Sequence, residues 1–278
     1  MLRGAVEAWS PASARCVAES LARRGVLSLP SRRSSLTATG TPVAVKGGGG
    51  LRFRYGLAAR ASRDLDLAIP NDQLADDFRA LLDESFGRGW SDFTATIGPA
   101  DDYRPPDFPD EYVVRRYKAS LRYRREVQSW TTITVEVSRD EVGGVNAARP
   151  LLDNGFVTLF RALGVEDPSP VAVFPIDFQV AQKLHACTDL TRPNERAHDL
   201  VDIQMLLADV PRAERRERLL QAVLDTFRYR ETAWPATVVQ QPRWDTLYEA
   251  ATHEVIGVLP DVRSAISWAN ELIGDIGT

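Results

Sequence analysis

Four consecutive glycines, Gly47 to Gly50, stand about one helix-length before two aspartates, Asp64 and Asp66, that alternate with leucine. Glycine has no Cβ, so a phosphate can come close to its backbone, and the N–H groups of a turn leading into a helix favour negative charge. Residues i and i+2 of a strand share a face, so Asp64 and Asp66 offer hard oxygen ligands side by side, suited to Mg²⁺ or Mn²⁺. This is the outline of a metal-dependent nucleotide site. An Asp-x-Asp alone is common on solvated strand faces; the upstream glycines, together with a second motif further along the chain, tip the reading toward function. Lys46, Gly47, Gly48 and Gly49 are the candidate phosphate contacts, and Arg52 fits a phosphate pocket or a plain helix surface equally well.

If the nucleotide donates its monophosphate, a hydroxyl must attack the α-phosphate in line with a pyrophosphate leaving group, with two metals neutralising the developing charge. Three carboxylates usually hold such metals. Glu136 is the candidate third: in the run Thr131 to Ser138, Thr132, Thr134 and Glu136 share one strand face while Ile133, Val135 and Val137 take the other. It would bind the metal nearer the attacking hydroxyl and accept its proton. The bland alternative is a strand glutamate that is solvated or paired with an arginine.

Between Glu111 and Glu126 the chain carries Arg115, Arg116, Lys118, Arg122, Arg124 and Arg125. Alternation could aim Arg116, Lys118 and Arg122 at one sheet face. They would then bind an RNA acceptor's phosphates, with Tyr117 and Tyr123 as stacking platforms, or they form the solvated face of an edge strand protected against aggregation. His185 and His198 read as packed or surface histidines, because no nucleophile with matching spacing accompanies them.

The elements that must position these groups follow from pattern. Pro42 to Lys46 predicts a strand, the glycines a turn, and Leu51 to Gly56 the beginning of a helix. Asp64 to Ile69 predicts a strand that buries Leu65, Leu67 and Ile69. A helix is predicted over Asp72 to Phe86, N-capped by Asn71 or Asp72, with Leu74, Phe78, Leu81 and Leu82 at helical spacing. Tyr112 to Arg124 and Trp130 to Ser138 predict an antiparallel extension of the sheet. Upstream, Ala12 to Arg24 reads as a short amphipathic helix and Ser28 to Pro42 as a Ser/Thr/Pro-rich connection. Beyond the Pro-rich break at Asp167 to Pro175 come five amphipathic segments, enough for a small helical bundle. The expected fold is α+β, a mixed-sheet domain over residues 1–170 followed by a helical domain over 171–278.

The 278 residues, 44% hydrophobic and 26% charged with a net charge of −4, are those of an ordinary soluble globular chain. No apolar run reaches signal-peptide or membrane-span length, so the expectation is a cytoplasmic protein with no membrane partner. Cys16 and Cys187 are isolated and read as buried thiols.

Two stretches together resemble the AbiEii/AbiGii-type nucleotidyltransferase-like toxins of type IV toxin–antitoxin and abortive-infection systems. The first is Lys46, Gly47, Gly48, Leu51, Arg52, Tyr55, Gly56, Ser62, Asp64 and Asp66; where the family has Thr-Ala after its glycine pair, this chain has Gly49-Gly50. The second spans Gln179 to Leu206, where Lys183, Leu184 and Ala186 match a Glu-Lys-Leu-x-Ala helix, with Gln182 in place of the glutamate, and Asp199, Leu200 and Asp202 match an Asp-Leu-x-Asp helix. A Trp-Pro followed by Trp244 and Tyr248, read as core of the helical domain, adds a third likeness. The resemblance implies a nucleotidyltransferase fold, a nucleoside triphosphate with Mg²⁺ or Mn²⁺, and a cognate antitoxin. It implies that Lys183 reaches the triphosphate across a cleft whose other wall holds the glycines and Asp64/Asp66. Asp199 would orient Lys183 or contact the nucleotide, while Asp202 would pair with an arginine. It supports a third acidic residue at Glu136. The expected activity is nucleotidyl transfer to RNA, tRNA being one acceptor of such toxins. A transferase acting on a small molecule such as an antibiotic, or a non-catalytic nucleotide- or partner-binding member, are the competing readings.

Overall fold

The computed structural model describes residues 43–60, 62, 64–70, 78–80, 82–83, 93–104, 113–123, 129, 131–162, 170–191, 194–253 and 255–277. The predicted helix Ala12–Arg24, the connection Ser28–Pro42, the capping residues Asn71 and Asp72, Cys16, Arg124, Arg125 and the Tyr123 side chain lie outside them. The chain divides into two compact units, one running up to Val173 and the other from Phe174 onward, with Ala58–Arg60 belonging to the second.

Among the described residues the first unit has eight strands: β1 (Ala44–Lys46), β2 (Asp64–Ile69), β3 (Phe93–Ile97), β4 (Asp101–Tyr103), β5 (Val114–Tyr123), β6 (Thr131–Arg139), β7 (Arg149–Leu151) and β8 (Val171–Val173). Their order across the sheet is β3-β5-β6-β2-β1-β8-β7, with β4 also paired to β5. β2 runs parallel to β6 and antiparallel to β1, β1 is parallel to β8, and β5 and β6 form the expected antiparallel pair. The sheet is therefore mixed. Its helices include α1 (Gly47–Tyr55), the short α2 (Gly144–Ala147) and α3 (Asn154–Ala162).

Strand alternation sorts the two faces of this sheet. Leu65, Leu67 and Ile69 of β2, Ile133, Val135 and Val137 of β6, and Tyr117, Ala119 and Leu121 of β5 are buried on one side. Register stacks them laterally, Val173·Val45·Leu67·Val137 in one row and Leu65·Val135·Tyr117 in the next. α1 packs on β1, β2 and β8 with Leu51 and Phe53 buried. Two expectations are corrected here. The helix begins at Gly47, four residues early, so the glycines are its first turn; a left-handed Gly47, φ +59°, swings the chain straight out of β1. Tyr117 is only 1% exposed on the core face, so it offers no platform for a base.

Asp140, just after β6, accepts hydrogen bonds from the N–H groups of Gly144 and Val145 at 3.0 and 2.7 Å, satisfying donors at the start of α2. Of the helix predicted over Asp72–Phe86, residues 78–80 and 82–83 are helical, with Phe78 and Leu82 buried.

The second unit is helical. α4 (Ile176–Thr188), α5 (Ala197–Leu207), α6 (Arg212–Tyr229), α7 (Trp244–Thr252) and α8 (Val262–Gly277) correspond one for one to the five amphipathic segments. α5 is its central rod, packed against α4, α7 and α8, and is buried nearly all round. Trp244 and Tyr248 are core residues as expected. The Tyr248 hydroxyl donates to the Leu259 carbonyl and accepts from Gln204 Nε2, while Gln204 Oε1 accepts from the Leu259 N–H.

Candidate active site

The polar face of the first unit carries the predicted carboxylates and three of the predicted cations together. Asp64 and Asp66 project from β2 on the side opposite Leu65 and Leu67, and parallel pairing places Asp64 beside Thr134 and Asp66 beside Glu136. One lateral row then reads Lys46·Asp66·Glu136·Arg116·Asp101 across β1, β2, β6, β5 and β4. The next row holds Asp64, Thr134 and Lys118, and the one after it Thr132, Ser120 and Thr96. Arg116, Lys118 and Arg122 alternate along β5, so they share this face, and Arg122 stands beside Thr94. Register, which sequence left open, is settled.

Contacts within the row fix two of its members. Asp66 sits over Gly47: a Cβ there would fall 2.8 Å from Asp66 Cγ and closer still to Oδ2. The absent side chain at Gly47 thus makes room for a carboxylate as well as for any phosphate. Glu136 Oε1 accepts a 2.7 Å hydrogen bond from Arg116 Nε, and the Arg116 guanidinium lies 4.3 Å from the centroid of the Tyr103 ring. Ser62, of the Ser-x-Asp-x-Asp motif, donates to the main-chain oxygen of Asp64 at 3.0 Å and thereby shapes the entry to β2. Arg52 is not a surface residue; it is buried, and its Nη1 donates to the Gly56 carbonyl at 3.4 Å.

The second motif forms a charge cluster within the helical unit. Lys183 Nζ, on α4, donates to Asp199 Oδ1 at 2.6 Å and to Asp202 Oδ2 at 2.7 Å, both on α5. Asp202 also receives a two-pronged bond from Arg60, Nε to Oδ1 and Nη2 to Oδ2, each 2.7 Å. Lys183 and Arg60 face the two carboxylates, and the Arg196 guanidinium lies 3.9 Å from Asp199 Oδ2, so the buried charges are paired as such burial demands. Burial by itself would push the Asp199 and Asp202 carboxyls up, but Lys183, helped by Arg60 at Asp202, outweighs it and holds both below the usual carboxylate range. Burial likewise opposes the Lys183 ammonium, yet its two carboxylate partners raise it. Asp202 carries the arginine pairing expected of it.

Sequence reasoning missed Arg60, since nothing local links it to a partner 142 residues away. His198 lies near Asp199, and burial lowers its pKa despite that carboxylate. His185 is a packed histidine whose Nδ1 meets Arg230 Nη1 at 3.0 Å and whose ring stands edge-on to Phe227. Cys187 is a buried thiol, its pKa pushed well up by burial.

Comparison with known proteins meets this geometry. The sequence pattern of nucleotidyl transferase AbiEii toxins of type IV toxin–antitoxin systems matches residues 32–270. The chain belongs to that family. It is therefore a nucleotidyltransferase toxin, a class that takes a nucleotide substrate and is paired with a cognate antitoxin. The fold is similar to that of the JHP933 protein of Helicobacter pylori, at 15% identity and a TM-score of 0.52 over 94% of this chain and 91% of that one. It is also similar to MenT4, a nucleotidyltransferase toxin of Mycobacterium tuberculosis, at 16% identity and a TM-score of 0.50 over 97% and 96% of the two chains. Among curated protein sequences no significant match is found.

The AbiEii toxins' chemistry calls for a divalent cation, and the donor set here suits one: three hard carboxylates from adjacent strands on one face, with Asp66 seated in a cradle that a Cβ would fill. Among the described residues no three His, Cys, Asp or Glu side chains are already gathered about one point for a metal. Glu136 is instead engaged with Arg116. Among those residues, too, no helix is long and apolar enough to cross a membrane.

Proposed function

We propose that this AbiEii-family toxin is a Mg²⁺- or Mn²⁺-dependent enzyme that transfers a nucleoside monophosphate from a nucleoside triphosphate to an RNA acceptor, with tRNA the first to test. The observation that carries the reading is the in-register pair Asp66 and Glu136, with Asp66 against Gly47 at the start of α1 and Asp64 on the same face. When bound, the divalent cation supplies charge neutralisation at the α-phosphate and activation of the attacking hydroxyl.

Asp64, Asp66 and Glu136 hold that cation. Glu136, the outer member of the pair, takes the proton of the acceptor hydroxyl. The N–H groups of Gly47, Gly48 and Gly49, in the first turn of α1, and the ammonium of Lys46 receive the phosphates; with no hydroxyl at Gly49, the backbone does this alone. Lys183 and Asp199 are assigned to the nucleotide on the family pattern of their helices, Asp199 orienting the Lys183 ammonium at 2.6 Å. Arg116, Lys118 and Arg122 receive the acceptor. Three cations of β5 on the carboxylate face, in addition to Lys46, favour a polyanionic acceptor over a cationic antibiotic, since the latter calls for an acidic pocket.

The test is incubation with each labelled nucleoside triphosphate, Mg²⁺ and total RNA, beside Asp66→Ala. Labelled RNA and released pyrophosphate, both lost in Asp66→Ala, are the expected results. Labelling that persists in Asp66→Ala would remove the site, and no labelling of any RNA would remove the acceptor class.

A further inference from the structure

The bond between Arg116 and Glu136 bears on how the carboxylates are made ready. Within the proposed metal set, Glu136 has a guanidinium hydrogen-bonded to it, through Oε1 and Nε at 2.7 Å. The pair is half-exposed, with side-chain accessibilities of 37% for Arg116 and 25% for Glu136, so water and ions reach it. Such pairs hold weakly and exchange partners readily. Arg116 does not depend on Glu136 for its place, because the Tyr103 ring lies 4.3 Å beneath its guanidinium and β4 anchors that ring beside β5.

Two adjacent carboxylates, Asp66 and Glu136, repel each other unless a cation lies among them. Lys46 borders the row on one side and Arg116 on the other, so the chain supplies its own counter-ions. A divalent cation between Asp66 and Glu136 would provide more charge at shorter range, and a guanidinium alongside would then be repelled.

We propose that Arg116 is a positioning residue that serves as an exchangeable counter-ion: it holds Glu136 in the metal-free protein and gives it up when a divalent cation binds. Its guanidinium, still seated on Tyr103, then joins Lys118 and Arg122 as a third phosphate contact on the same face. Metal loading and acceptor binding become coupled through one side chain. This rests on the reading that Asp66 and Glu136 hold the metal.

The experiment is titration of the full chain with Mn²⁺ alone, following free Mn²⁺ by electron paramagnetic resonance, in wild type, Arg116→Ala, Arg116→Lys and Asp66→Asn. Removing the competitor should tighten Mn²⁺ binding about twofold to fivefold in Arg116→Ala, with Arg116→Lys in between. Asp66→Asn should weaken it. Unchanged or weaker binding in Arg116→Ala, with Asp66→Asn impaired, overturns the exchange while leaving the carboxylate site standing. Wild-type affinity in Asp66→Asn overturns both. If Arg116→Ala does not fold, the wild-type Arg116 Nε–H nuclear magnetic resonance signal, identified by its loss in Arg116→Lys, decides. It should shift when Mg²⁺ is added, and a signal that stays put overturns the proposal.

Discussion

Asp66 lies directly over Gly47, so close that no side chain could occupy that position without displacing the carboxylate. One residue thus determines both how the chain leaves β1 and where a candidate metal ligand rests. Gly47→Ala meets two obstacles, a left-handed φ of +59° and the Asp66 carboxylate. The expected loss of stability is about 1–3 kcal/mol, read by urea denaturation. Nucleotidyl transfer should fall further than the folded fraction does, because Asp66 is pushed out of register with Glu136. A Gly47→Ala protein with wild-type stability and activity would show that this close approach is dispensable.

Lys183 raises a question of role, since its ammonium is both a proposed nucleotide contact and half of the neutralisation of Asp199 and Asp202. Lys183→Met leaves two buried carboxylates with Arg60 on Asp202 and the more distant, largely exposed Arg196 near Asp199, a loss of about 3–5 kcal/mol. The double variant Lys183→Met/Asp199→Asn restores the charge balance, leaving Arg60 with Asp202, and should recover most of the thermal midpoint. If Lys183 serves the nucleotide, the refolded double variant stays inactive in the labelling assay. Recovery of activity along with stability would make the lysine purely structural.

The same cluster sets a pH signature. Asp199 and Asp202 have folded pKa values below their ordinary 3.8, so their contribution to stability is complete above that value and lost as pH falls through the lower folded values. Lys183 is raised above 10.5, so its contribution is complete below that value and lost only as pH rises through the higher folded one. Between about pH 7 and 9 the cluster should therefore leave stability flat, while below the ordinary histidine value of 6.5 His198, held low by burial, starts to cost stability. In acid, Asp202→Asn should have a shallower limb than wild type, by up to about 1.4 kcal/mol per pH unit, measured by urea denaturation at stepped pH. Parallel limbs would show that the Asp202 carboxylate is not held low in the native state.

What the sequence revealed and what it concealed divide along physical lines. β2 shows in the strict alternation of Asp64 to Ile69, and the five helices of the second unit show in the apolar spacing of segments such as Gln179 to Cys187. The three-residue strands β4, β7 and β8 are too short for any period to declare itself, and β8 was hidden in a stretch that reads as a proline-rich break. The helix start at Gly47 runs against glycine's poor helix propensity, and it is tertiary packing on β1, β2 and β8 that overrides it. Pairing across the sheet was equally out of reach. That Glu136 stands between Asp66 and Arg116 depends on which strands are neighbours and in what register, information that sits nowhere in the local sequence.

Register also lets the two readings of the β5 cations be separated. Arg115 faces away from the carboxylates and is committed to Asp102, with bonds of 2.7 and 2.9 Å, so it serves as an internal control. Lys118 and Arg122, on the carboxylate face, should each contact one phosphate of a single-stranded RNA. Binding of a fluorescently labelled oligonucleotide, measured by anisotropy across a salt series, should lose affinity in Lys118→Ala and Arg122→Ala. The slope of log K against log salt should shrink by about 0.7 for each phosphate contact removed. Because phosphate contacts carry no base information, the loss should be alike for every sequence tried. Arg115→Ala should leave the slope as it is. Equal effects from all three arginine and lysine variants, or none from Lys118 and Arg122, would reduce these cations to the solvated face of a strand that is interior to the sheet, not an edge.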